Sequence, residues 1–165
     1  MPSQYTEELK KHPKEEILAL LLERTSPAVA AGILGNIDVE TGGTYDYRQK
    51  QIGGGKGRGL FQMGDGMLEA YQKYLKKEGA KDSAASQIDF MGNILVDDEI
   101  YDIGAGHRKH IQGAFERGDV DEITAMFSDR VLRPGKPHMQ RRFKAAHETW
   151  ESIKGAGNDK RPDGN

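Results

Sequence analysis

Apolar and polar residues alternate along most of this chain with helical rather than strand periodicity, and the punctuation between the runs is that of helix ends. Pro13 followed by "KEEILALLLER" predicts a helix opening with acidic residues in its first turn. In "TSPAVAAGILGNIDVE", Ser26 is placed to cap and Pro27 to occupy the first helical position, where a missing N–H does no harm, so a second helix should run to about Glu40. Further helices are predicted at "GMLEAYQKYLKKEG", closed by Gly79, and at "SAASQIDFMGNILVDDE", capped by Ser83. "GHRKHIQGAFERGD", "DVDEITAMFSDRVL" and "KPHMQRRFKAAHETWESIK" continue the pattern. Only "TYDYRQKQI" and "GRGLFQM", flanking the flexible "GGGK", combine β-branched and aromatic residues with a turn, and they predict one small β-hairpin after Glu40. The expected class is α+β, mostly helical, with a single domain over residues 1–154 and a polar tail over 155–165.

Composition narrows the picture by exclusion. Twenty-four basic and 26 acidic residues leave a net charge of −2, without the basic excess of a nucleic-acid-binding domain. The chain has no cysteine, so thiol chemistry, disulfides and Cys-based zinc sites are out. Its apolar run "ILALLL" is too short for a secretory or membrane-spanning segment, so membrane insertion is not expected and the chain is read as soluble as made.

Candidate chemistry starts at Glu40. A helix C-terminus is the negative end of the macrodipole and disfavours a carboxylate, yet Glu40 falls on the same helical arc as Val29, Ile33, Asn36 and Ile37. Partial burial and the dipole both raise its pKa, and a carboxyl protonated near neutral pH can serve as a general acid. The alternative is a Glu that leaves the helix end, bonds a backbone amide of the "TGG" turn and faces water. The turn at Thr41, Gly42 and Gly43, with a hairpin returning "GLFQ" across the helix end, favours a cleft with the acid at its base.

"AGILGNIDVETGG" followed by "GRGLFQM" resembles the signature of the lysozyme superfamily, in particular phage endolysins and tail-associated lysozymes, and more distantly goose-type lysozymes and lytic transglycosylases. "SQIDFMGNIL" and "RPGKPHMQRRFKAAHETW" extend the resemblance over roughly residues 26 to 150. Thr41 follows the Glu as in that pattern, and Phe61 stands where Met is more usual. The resemblance implies a lysozyme-like fold with a small β-hairpin after the catalytic helix, and cleavage of the β-1,4 bond between MurNAc and GlcNAc in peptidoglycan with no metal or cofactor. It makes Glu40 the general acid and Gln62 a cleft-floor contact to the sugar or the reacting water. The second carboxylate stays open between Asp46, preferred because it faces the cleft if Thr44 does, and Asp65. Thr44 and Tyr47 are candidate substrate-binding residues, with the rings of Tyr45 and Tyr47 on one strand face able to stack on sugars.

Within the resemblance, the enzymatic alternatives are a lytic transglycosylase that uses one glutamate as acid and then base, and a chitinase of related fold. A phage structural or wall-binding protein that has lost turnover is the non-enzymatic one. The implied setting is the host cytoplasm until lysis and then the wall in the periplasm, or packaging in the virion, as a monomer whose partner is peptidoglycan and not nucleic acid. Other patterns are weaker. His107 and His110 in "GHRKH" lack a third zinc ligand. "IGGGKGRG" lacks the Lys-Ser or Lys-Thr pair of a phosphate loop. In "PHMQRRFKAAH" the reading puts Phe143, Ala146 and Trp150 in the core and the basic residues in water, with Arg141 or Arg142 closing the domain through an ion pair.

Overall fold

The computed structural model describes residues 12–159. Its helices are α1 (Pro13–Arg24), α2 (Pro27–Glu40), α3 (Asp65–Glu78), α4 (Ala84–Ile94), α5 (Ala105–Arg117), α6 (Val120–Met126) and α7 (Met139–Asp159), with a π-helical turn at Phe127–Leu132 after α6. Their ends obey the local chemistry. Ser26 accepts a hydrogen bond from the Val29 N–H, Ser83 accepts one from the Ser86 N–H, and Asp119 caps α6 through the Glu122 N–H. Gly79 closes α3 in the left-handed region. Helix α7 continues through Asp159, beyond the predicted boundary at 154, and the rest of the tail and the first residues of the domain lie outside the described residues.

Helix α2 is the axis of the molecule. Its residues from Ala28 to Ile37 are all buried, so it is enclosed rather than laid on a surface with one apolar stripe. Close packing requires small residues on two of its sides. A Cβ on Gly32 would stand 2.5 Å from Ile123 Cγ2 of α6, and one on Gly35 would stand 2.5 Å from the Arg142 carbonyl oxygen and 2.8 Å from Ala146 Cβ of α7. Gly→Ala in an exposed helix is stabilising, because glycine gives up more backbone freedom on folding. Here the sign should reverse. Gly35→Ala is expected to lower stability by about 1–3 kcal/mol, the usual range for overpacking, read as a lower midpoint in urea unfolding. An equal or higher midpoint would show that α2 and α7 can part without loss.

The predicted hairpin does not form. Among the described residues there is no strand, and residues 41–63 keep only two isolated antiparallel bridges, Lys50 with Arg58 and Arg58 with Met63. The run is broken because the backbone repeatedly enters the left-handed region, at Gly42, Gly43, Tyr45, Gly53, Gly54, Gly59 and Gln62. Side chains take over the work of a ladder. Gln87, buried on α4, accepts from the Leu60 N–H at 2.9 Å and donates to the Tyr47 carbonyl at 2.8 Å, fixing both ends of the returning chain to one helix. Gly59, with φ +83°, leaves the room this needs, since a Cβ there would lie 2.6 Å from Gln87 Oε1. Segment 41–63 is thus a loop pinned to α4, and it still carries "GLFQ" back over the C-terminal end of α2.

Candidate functional site

Glu40 is the last residue of α2 and lines an open cleft of about 720 Å³. One side of this cleft comes from the returning loop through Gln51, Phe61 and Gln62, and the other from residues 132–142, which join the π-helical turn to α7. The Glu40 side chain is only 12% exposed. Arg142 Nη2 donates to Glu40 Oε1 at 3.0 Å, while Arg142 Nη1 donates to Asn36 Oδ1 at 3.0 Å and Arg142 Nε donates to the Pro137 carbonyl. Asn36 completes its own bonding through Nδ2, which donates to the carbonyls of Gly32 and Thr124. A guanidinium that is 1% exposed is therefore spread over three acceptors, one of them the candidate acid.

Burial raises the pKa of Glu40 from its ordinary value, and the nearby Arg142 cation and its hydrogen bond pull the other way without cancelling that rise. Desolvation penalises the ionised form directly, whereas Arg142 divides its charge among three partners. The result is a carboxyl that gives up its proton less readily than an exposed one, beside a fixed cation able to stabilise the anion once the proton has left.

The remaining sequence-predicted residues are dispersed. Gln62 shares the cleft with Glu40, but its Nε2 is tied to the carbonyls of Gln49 and Gly59 at 3.0 and 2.8 Å, and its Oε1 is enclosed without a hydrogen-bond partner among the described residues. Asp46 does not line the cleft. It accepts from the Arg48 N–H at 2.9 Å and pairs with the Arg48 side chain, an Asx turn that holds its pKa below the usual value. Asp65 opens α3, is 76% exposed and pairs with Lys56 at 3.3 Å. It lines an adjoining groove that meets the Glu40 cleft at Phe61, Gln62 and Arg133. Thr44 Oγ1 lies 2.8 Å from Gln49 Oε1, and the half-buried Tyr47 packs on the core beneath the Arg48 guanidinium. Tyr45 is buried, donating from its hydroxyl to Asp38 at 2.6 Å, so its ring is closed to stacking on a sugar. Among the described residues lining the cleft, Glu40 is the one carboxylate. No trio of metal-ligating side chains gathers at His107 and His110 among the described residues, and His107 instead faces Arg130.

The ion pair expected of Arg141 or Arg142 forms at both, with Asp38 and Glu40, whereas the motifs that contain Asn36 and Arg142 assign neither a place beside the acid, although a signal for them exists. Arg142, Ala146, Thr149 and Ile153 recur at helical spacing and are all buried, so the core stripe of α7 includes Arg142 while Phe143 is only half-buried. A second signal is conformational. Gln62, Arg133 and His138, three cleft-lining residues, hold φ of +47°, +49° and +49°, values that side-chain-bearing residues rarely adopt outside functional sites and turns.

Compared with known proteins, residues 14–153 match the model of the phage tail lysozyme family. Among curated proteins and among solved structures, nothing matches the chain significantly.

Proposed function

The chain belongs to the phage tail lysozyme family, and from that premise we propose that it cleaves the β-1,4 bond between MurNAc and GlcNAc in peptidoglycan, with Glu40 as the general acid. Membership carries a lysozyme-like, wall-degrading role. The observation that supports the finer reading is a largely buried carboxyl, raised in pKa, at the base of a cleft long enough to continue into a neighbouring groove. Protonation of the glycosidic oxygen by Glu40 makes the leaving sugar neutral as the oxocarbenium-like transition state develops, and the departing proton leaves a carboxylate that Arg142 stabilises.

Two chemistries diverge once the leaving group has departed. An inverting hydrolase places a second carboxylate about 6.5–9.5 Å from the first, and a retaining one places it about 5–5.5 Å away. The cleft offers Glu40 alone among its described lining residues, and this favours a second reading. In a lytic transglycosylase the Glu40 carboxylate would take a proton back from the 6-hydroxyl of the muramic acid, which closes onto C1 and forms an anhydro ring. Mass spectrometry of the soluble products from purified sacculi decides between them. Muropeptides with reducing ends, heavier by one water, are the result expected of a lysozyme, and anhydro ends are the result expected of a transglycosylase. Absence of soluble products, with binding to the sacculi retained, would make the protein a wall-binding component without turnover.

No described helix is long and apolar enough to cross a membrane. The proposed setting is the host cytoplasm until lysis and then the periplasmic wall, or the virion, with the chain acting as a monomer.

A further inference from the structure

The chain carries a net charge of −2, yet the wall of the cleft contributed by residues 133–142 is cationic, with Arg133, Lys136, Arg141 and Arg142 along it. Two of these charges are used internally, since Arg142 pairs with Glu40 and Arg141 pairs with Asp38. The other two are not matched by any carboxylate among the described residues. Arg133 donates only to backbone carbonyls, through Nη2 to Ile103 at 2.6 Å and through Nε to Arg130 at 3.3 Å. The Lys136 side chain, exposed on the cleft rim, has no hydrogen-bond or ion-pair partner among the described residues.

This segment, "RPGKPH", is also held stiffly. Arg133 and His138 bracket it in the left-handed region, and Pro134 and Pro137 fix the φ angles between them. Arg133 adopts φ +49° and ψ +53° immediately before a proline, a position that normally drives the preceding residue to extended geometry. The surroundings hold it there, through the Arg133 N–H on the Ser128 carbonyl and the guanidinium on Ile103. A strained, proline-braced strap that presents unneutralised cations to one side of a cleft concentrates negatively charged ligand there.

The sugar backbone of peptidoglycan has no anionic group to meet these cations, whereas the stem peptides on alternate sugars carry free carboxylates. We propose that the Arg133–His138 strap reads the stem-peptide carboxylates beside the scissile bond, so that the substrate of this site is a glycan strand bearing anionic stems rather than an uncharged amino-sugar polymer such as chitin. This rests on the reading of the cleft as a peptidoglycan-cleaving site.

The test compares purified sacculi with the same sacculi after chemical amidation of their stem carboxylates, which removes the charge and keeps strand length and sugars. Wild-type protein is expected to show about tenfold higher kcat/KM on the native material, the worth of about one charge-assisted contact, and the preference should shrink as ionic strength rises. Lys136→Gln, at an exposed position, should bring the ratio of the two rates toward unity through KM, and Lys136→Arg should restore it. Equal wild-type rates on both substrates, or a Lys136→Gln variant that keeps the full preference, overturns the strap as the reader of stems while leaving Glu40 and wall cleavage intact. Failure of the wild type to cleave either material overturns the functional reading itself, and this inference with it.

Discussion

Glu40→Gln is expected to lower the rate of peptidoglycan cleavage about 10²- to 10⁴-fold, the range that a positioned general acid contributes. Its folded structure should survive. The Gln carbonyl oxygen still accepts from Arg142 Nη2, and Arg142 keeps its contacts to Asn36 and Pro137. Far-UV circular dichroism and binding to sacculi should therefore match the wild type while release of soluble sugars collapses. A variant that cleaves at near wild-type rate would remove Glu40 from the chemistry.

The pH profile supplies a second check on Glu40. A general acid works while protonated, so activity should fall as pH rises through the Glu40 pKa, and burial moves that limb upward from where an exposed glutamate would put it. Stability carries the same sign. The folded state holds this proton more tightly than the unfolded chain, so the contribution of Glu40 to stability is complete below the unfolded carboxylic pKa and is lost as pH rises through the folded value. Wild type and Glu40→Gln should accordingly differ in how stability depends on pH across that window.

Arg142→Met is expected to destabilise the fold by about 3–5 kcal/mol, the usual consequence of removing one partner from a buried charge pair. The acceptors on Glu40, Asn36 and Pro137 would be stranded together, around a side chain that is 1% exposed and so leaves water little access to replace it. In the fraction that folds, the alkaline limb of activity should move to higher pH, because the cation that favours the ionised carboxyl has gone. Arg142→Lys, with charge but no planar fork, should fall between the two in both measurements. Urea unfolding and the pH profile together separate the roles. Lost stability with an unmoved limb would make Arg142 a brace between helices that leaves the acid's ionisation alone.

The fold and site are unequally legible in the sequence. Helix ends are readable where a single side chain or a glycine decides them, as at Ser26, Ser83 and Gly79. Glu40 is readable because its register on α2 fixes its direction, and Gln62 because the "GLFQ" segment returns to the same place. The hairpin expectation fails because alternation of tyrosines and polar residues says nothing of φ. Tyr45 takes +53° and turns inward to Asp38, and a distant glutamine, Gln87, supplies the bonds that a ladder would have supplied. Asp46 is held by its neighbour Arg48, a local contact that competes with any role in the cleft. Arg142 is legible in part, since the ion pair expected of Arg141 or Arg142 forms, but its burial does not follow from residue type. Charge suggests water, but its partners are far away in sequence and its burial is decided by tertiary packing.

That separation bears on how the protein comes to exist. Glu40 and Arg142 are 102 positions apart, and Asn36 and Arg142 are 106 apart. Glu40 is synthesised first, and its electrostatic partner, the strap beside it and helix α7, which packs on α2, follow only about a hundred positions later. Contacts so distant along the chain close slowly, because loop entropy is lost before they form. A chain ending before Arg142 thus has Glu40 but not its surroundings, and the cleft around that carboxyl is complete only once α7 has joined α2.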